Sequence, residues 1–352
     1  MQTGTIIVGQ GLSGTWLSYW LLKSGAEFIV IDESKKNSAS KVAGGILNPV
    51  TGRRMVKTWM AEVLLPFAWE NYGALGDFLD VNLIAQTELI DFFASPDRRL
   101  SFEKRAQEFE SYLNWPQNES IWREYFEYPF GFGIVSPVYQ VNLQTMILKW
   151  RNYLDGTGRF LDGKYIASGL TIFDNHIEYN SIKADRIIFC DGTAVMEQPF
   201  FSLLPFACNK GEALIISAPE LPANRLFKKT NTITPWQNGL FWVGSSYDRD
   251  YKDDQPTEAF YHYTIKWLKE FLKLPFTVED HLAAIRPTTV ERRPFAGMHP
   301  LHKNVGILNG MGTKGVSVAP YLAKQLADYI LLHTPILKEA DVQQYARILR
   351  RS

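Results

Sequence analysis

The sequence predicts an α/β chain: a Rossmann-type nucleotide-binding domain interleaved with an α+β domain that contains an antiparallel sheet. Three observations lead there. A short apolar run, TIIV at 5–8, passes straight into GQGLSG and a stretch of helical periodicity. A second unit of strand, glycine loop and helix occupies 305–332. Between them, β-type runs at 88–94, 213–217 and 240–244 read as strands of an antiparallel sheet.

The first unit carries the sharpest signal. Residues 5–8 are apolar and rich in β-branched side chains, as in a fully buried parallel strand. Gly9, Gly11 and Gly14 then fall in GxGxxG spacing. The first permits a tight turn, the second lets backbone approach a pyrophosphate, and the third lets helix and strand pack closely. Leu12, Trp16, Leu17, Trp20 and Leu21 recur at helical spacing, and Gly25 is placed to stop the helix. Leu12 and Ser13 sit in its first turn, where free N–H groups face a phosphate. A second strand at 27–31 ends at Asp32, an acid placed to accept hydrogen bonds from a ribose. This motif fits NAD and FAD alike.

The rest of the chain is read in order. ASKVAGGILNPVTGRR is a loop of small residues in which Ala43, Gly44 and Gly45 would bring backbone close to a flat ligand. A helix follows at about 58–79, and a polar helical stretch at about 96–113. Near the C-terminus a strand at 305–308 leads into GMGTKG. A helix at 316–332 follows, with Val318, Tyr321, Leu322, Leu326 and Ile330 near one face. This second glycine loop again aims backbone N–H groups at a ligand.

Composition narrows the class. With 37 basic and 37 acidic residues among 352, the net charge is zero, so no bulk attraction to nucleic acid is expected. Lys35, Lys36, Lys41, Arg53, Arg54 and Lys57 make the early loops locally basic, which leaves RNA as an alternative partner. Only Cys190 and Cys208 occur, with no CxxC, so neither a disulfide framework nor a metal site is expected. The six histidines show no ligand spacing. No apolar run approaches the ~20 residues of a membrane span, and the N-terminus lacks signal-peptide character. A soluble cytoplasmic protein is expected.

GQGLSG, Asp32 and ASKVAGGILNP together resemble the D-amino-acid oxidase and glycine oxidase superfamily of FAD enzymes, and the resemblance extends along the whole chain. KADRIIFCDGT at 183–193 is similar to the strand that returns to the Rossmann sheet there. AAIRPTTVERRPFAGMHP resembles the segment bearing a substrate-binding arginine, and NVGILNGMGTKGVSVAPYLAKQLADYI the last strand, flavin-contacting loop and closing helix. Within the superfamily, ASKVAGGILNP, GSSYDRDYKDD and GMGTKGVSVAP look like the oxidase domain of the bifunctional tRNA wobble-uridine modification enzyme. The methyltransferase domain usually fused to it is expected to be missing, because the chain begins at the Rossmann strand.

The resemblance implies non-covalent FAD. Its ligands would be Gly9, Gly11, Leu12, Ser13, Gly14, Asp32, Ser40, Ala43, Gly44, Gly45, Ile46, Asp191, Gly192, Gly310, Gly312, Thr313, Lys314, Gly315 and Val316. It implies an FAD-binding domain at 1–80, 135–195 and 280–352, and a substrate domain at 81–134 and 196–279. The active site would lie between them, floored by flavin. Arg286 matches the carboxylate-binding arginine, and its planar fork pairs bidentately with a carboxylate. Tyr247, after FWVGSS, is placed to face the flavin. The implied reaction is oxidation of a small amine or amino acid by hydride transfer to flavin N5, with oxygen or a quinone as final acceptor. A hydroxy-acid dehydrogenase and a tRNA-modifying oxidase are the alternatives. Glycine oxidases often carry arginine where this chain has Thr313 and tyrosine where it has Thr232, which puts glycine itself in doubt as substrate.

Overall fold

The computed structural model describes residues 1–52 and 54–351. Arg53, one of the basic loop residues, lies outside them. Contacts divide the chain into two compact units. One comprises Met1–Lys41, Gln144–Asn209 and Ile285–Ser352; the other comprises Val42–Leu143 and Lys210–Ala284.

The first unit is built on an eight-stranded sheet. Its path runs Leu170–Ile172, Ile177–Tyr179, Ile182–Phe189, Gln2–Val8, Phe28–Asp32, Phe160–Asp162, with Val305–Asn309 beside Ile182–Phe189 and Phe295–Met298 beyond it. The central pairings are parallel: Ile6 lies opposite Ile187 on one side and Ile29 on the other. Parallel strands covered on both faces need continuous apolar sequence, and Ile6, Ile7, Val30, Ile187 and Ile188 are fully buried. Helix Leu12–Lys23 ends in Ser24 and Gly25, the latter at φ +70°. The indole of Trp20 on this helix donates to the Pro320 carbonyl of helix Gly315–Leu332 at 2.9 Å.

The second unit holds a nine-stranded sheet. Its order is Thr277–Arg286, Asn209–Ser217, Phe241–Gly244, Thr232–Pro235, Leu226–Lys228, Ile84–Phe92, Phe132–Val141, Ile46–Leu47, with Leu113–Asn114 also paired to Phe132–Val141. Ile84–Phe92 runs antiparallel to Phe132–Val141, and the Asn209–Ser217, Phe241–Gly244, Thr232–Pro235 succession is antiparallel too. Leu226–Lys228 is parallel to Ile84–Phe92, so the sheet is mixed at that seam. Phe92, Phe126, Tyr128 and Phe271 pack as a ring cluster inside this unit.

Several boundaries differ from the sequence reading. The first long helix is Ala61–Phe78. The polar helix stops at Glu108, because Leu113–Asn114 pairs as a strand with Val135 and Ile134. Residues 42–80, expected with the nucleotide-binding region, make their sheet pairings inside the second unit: Ile46 and Leu47 face Gln140 and Tyr139. Phe132–Val141 groups there for the same reason. Among the described residues, no helix is long and apolar enough to cross a membrane.

Candidate functional site

In the first unit the GxGxxG turn has the geometry its spacing implies. Gly9 sits at φ +96°, and a Cβ there would lie 2.5 Å from the Cys190 carbonyl oxygen. A Cβ on Gly14 would fall 1.8 Å from the Gly9 carbonyl oxygen, so strand and helix approach as they do only because Gly14 has none. The helix begins at Gly11 with no side-chain cap and no acidic residue in its first turn. Leu12 N–H donates to Ser40 Oγ at 3.0 Å. The remaining first-turn N–H groups, with Ser13 and Gly14 among them, present the positive end of the helix to an anion.

Asp32 ends its strand with both carboxylate oxygens engaged. Gln10 N–H donates to Oδ2 and Ser34 N–H to Oδ1, each at 2.8 Å, and Arg151 forms an ion pair with Oδ1. Neither Gln10 nor Arg151 was singled out in the sequence. Gln10 is one of three variable residues inside the glycine motif, and Arg151 lies on helix Leu143–Gly156 with no motif around it.

The C-terminal glycine loop closes on the same part of the unit. The Asn309 side chain donates to Asp191 Oδ1 at 3.0 Å and to the Gly192 carbonyl at 2.9 Å, and its own oxygen accepts the Gly310 N–H at 2.7 Å. Burial pushes the Asp191 carboxyl up to about 7, against the lowering effect of the Asn309 hydrogen bond. Gly310 and Gly312 adopt φ +79° and +56°. A Cβ on Gly315 would meet the Leu12 side chain at 3.3 Å, so the two helix N-termini start side by side. Val316 is buried, Lys314 half-buried and Thr313 exposed. Asn309 was the readable omission, since it directly precedes Gly310.

Arg286 belongs to this unit as well. Its Nη1 donates to Asn209 Oδ1 at 2.8 Å, and Asn209 Nδ2 donates to Thr288 Oγ1 at 2.7 Å. Asn209 is neutral, so this bond orients the guanidinium without cancelling its charge. Gly312 N–H donates to the Pro287 carbonyl at 3.1 Å, which ties the arginine segment to the glycine loop.

The remaining candidates lie in the second unit. Gly45, at φ +72°, has Val141 O only 2.0 Å from where its Cβ would be, and a Cβ on Gly44 would lie 3.1 Å from the Trp242 ring. Gly45 is therefore required by the protein's own packing, while Gly44 packs tightly against the Trp242 ring. Ala43 and Ile46 flank them, half-buried, and the Trp242 indole donates to the Val42 carbonyl at 2.9 Å. Tyr247 is exposed, with the Arg249 guanidinium 5.6 Å from its ring centroid.

The first unit's residues fit an FAD-type dinucleotide: a side-chain-free cradle at Gly9, Gly11 and Gly14, a helix N-terminus, and an oriented acid at the end of the second strand. Comparison with known proteins agrees. A family model described as FAD dependent oxidoreductase matches residues 5–329. A tRNA 5-methylaminomethyl-2-thiouridine biosynthesis bifunctional protein, MnmC, of Maricaulis maris (strain MCS10) is 25% identical over 356 residues. That match covers 97% of this chain and 54% of that protein, so the chain spans about half its length. Glycine oxidase from Geobacillus kaustophilus shares the fold, with TM-score 0.79, 14% identity and 98% of each chain covered. Iminodiacetate oxidase (IdaA) from Chelativorans sp. BNC1 does so with TM-score 0.76 and 16% identity, over 97% of this chain and 98% of that one.

Proposed function

Because the chain belongs to the FAD dependent oxidoreductase family, we propose that it oxidises a small amine or amino acid at the carbon next to nitrogen. FAD is held non-covalently by the two glycine turns, the helix N-termini at Leu12 and Gly315, Ser40, Asp32 and the Asp191–Gly192 turn. When bound, FAD would supply two-electron, hydride-accepting chemistry.

Arg286 is the observation that carries this reading. A guanidinium held by a neutral amide, in a segment tied to the glycine loop, is suited to clamp a substrate carboxylate and so fix which C–H bond is presented. The substrate must arrive with its amine deprotonated, and water hydrolyses the resulting imine to a carbonyl compound and a free amine. Oxygen or a quinone is the final electron acceptor.

The test is anaerobic addition of amines, D-amino acids and hydroxy acids to the yellow protein. Bleaching by one amine class supports the proposal; bleaching by hydroxy acids alone replaces it with a hydroxy-acid dehydrogenase. The similarity to a tRNA-modification protein over nearly the whole chain favours a second reading, in which the amine is a carboxymethylaminomethyl group on a tRNA wobble uridine. Bleaching by tRNA carrying that group, with no small amine active, selects it.

A further inference from the structure

The contacts around Asp32 are more elaborate than a ribose-binding acid requires. Each nitrogen of the Arg151 guanidinium has a partner. Its Nε donates to Gln10 Oε1 at 2.8 Å, Nη1 donates to Ser34 Oγ, and Nη2 pairs with Asp32 Oδ1. Its Cζ lies 4.9 Å from the Phe160 ring centroid. The groups that hold it are themselves fixed. Buried Gln10 donates through Nε2 to Thr15 Oγ1 and to the Ile147 carbonyl, both at 3.1 Å, and Ser34 Oγ donates to Asp162 Oδ1 at 2.9 Å. One arginine thus joins the glycine turn, the end of the second strand and helix Leu143–Gly156 within one unit.

Counting donors and acceptors gives the consequence. A carboxylate offers about four acceptor positions. Gln10 N–H, Ser34 N–H and Arg151 engage three on Asp32, leaving a position on Oδ2. A guanidinium carries about five N–H donors, of which the contacts to Gln10, Ser34 and Asp32 use three. An acceptor on Asp32 therefore stands beside donors on Arg151. That is complementary to a vicinal diol, in which one hydroxyl donates and its neighbour's oxygen accepts.

We propose that Arg151 is a cofactor-positioning residue that forms, with Asp32, a paired donor–acceptor site for the adenosine ribose diol of FAD. This rests on reading the Gly9–Gly14 cradle as the FAD site. Arg151 acts on the adenosine half of the cofactor and leaves the flavin half untouched. Lys41 also faces this pair: burial and the Arg151 charge lower its ammonium pKa, and Asp32 opposes them. Asp32 therefore keeps a neighbouring cation when Arg151 is replaced, and an Arg151→Met protein is expected to fold.

The test compares binding of FAD, ADP and FMN to the apoprotein of wild type, Arg151→Met and Arg151→Lys by calorimetry, with thermal melting as the check on folding. Loss of a charge-assisted hydrogen bond predicts roughly ten- to hundredfold weaker FAD and ADP binding in Arg151→Met. FMN, which lacks the adenosine, changes by less than about twofold. Arg151→Lys, which keeps the charge and loses the fork, falls between. FAD and ADP affinities unchanged in folded Arg151→Met overturn the proposal, and so does an FMN loss as large as the FAD loss, which marks a general scaffold role. If Arg151→Met does not fold, the same ratios are read from Arg151→Lys. Wild type that binds ADP and not FAD refutes the FAD-site reading while the ADP ratio still decides the role of Arg151; wild type that binds neither refutes both.

Discussion

Replacing Asp191 by Asn should change how the stability of the apoprotein depends on pH. Burial raises the Asp191 carboxyl from 3.8 to about 7, and the Asn309 amide offsets part of that cost. In the unfolded chain the same group loses its proton near pH 4. Between about pH 4 and 7 the folded protein therefore binds a proton that the unfolded chain has released, so stability falls as pH rises across that window. Over the pH 5 to 7 part of that window the effect is about 2.7 kcal/mol at most, and water reaching the half-buried carboxyl reduces it to about 1–3 kcal/mol. Asp191→Asn keeps an oxygen to accept from Asn309 and removes the titration. The assay is urea unfolding of apoprotein at pH 5 and pH 8, read as the wild-type difference minus the variant difference, which cancels the other titrating groups. The variant should gain about 1–3 kcal/mol relative to wild type on going from pH 5 to pH 8. A double difference within about 0.5 kcal/mol of zero would refute the reasoning, because the carboxyl would then titrate alike in both states.

Other expectations follow from the same geometry. Gly14→Ala drives a Cβ into the Gly9 carbonyl and should abolish FAD binding and lower stability by about 1–3 kcal/mol or more; Gly73→Ala, in open space inside helix Ala61–Phe78, should stabilise by up to about 1 kcal/mol, both read by melting and FAD titration. Arg286→Lys should raise KM for a carboxylate substrate roughly ten- to hundredfold in steady-state kinetics, and an unchanged KM rejects the clamp. Buried His299 accepts the Leu301 and His302 N–H groups on Nδ1, and burial lowers its pKa to about 4. The neutral ring is favoured on folding, so stability is lost as pH falls from 6.5 through 4. His299→Asn should flatten that acid limb, as measured by melting temperature across the range.

Local chemistry was legible in the sequence, because it is written in neighbouring residues. TIIV, GQGLSG and the acid at Asp32 specify a buried strand, a turn only glycine can make, and a helix that starts with no side-chain cap. The glycine loop after Val305–Asn309 was readable for the same reason, and the extent of the family resemblance agrees with a family model reaching residue 329. What brings distant segments together carries no such mark. Arg151 meets Asp32 across a separation of 119 residues, and Asn309 meets Asp191 across 118. Period and spacing report which face of an element is buried and say nothing of which partner it meets. Residues 42–80 grouped with the second unit because Ile46 and Leu47 found an edge on Phe132–Val141, and Leu226–Lys228 ran parallel to Ile84–Phe92 because of where the chain crossed over. The sequence by itself determined the dinucleotide turn, and its family resemblance selected FAD over NAD. Tertiary structure alone decided which side chains hold the acid, the arginine and the loop in place, since those contacts exist only once the sheets have formed.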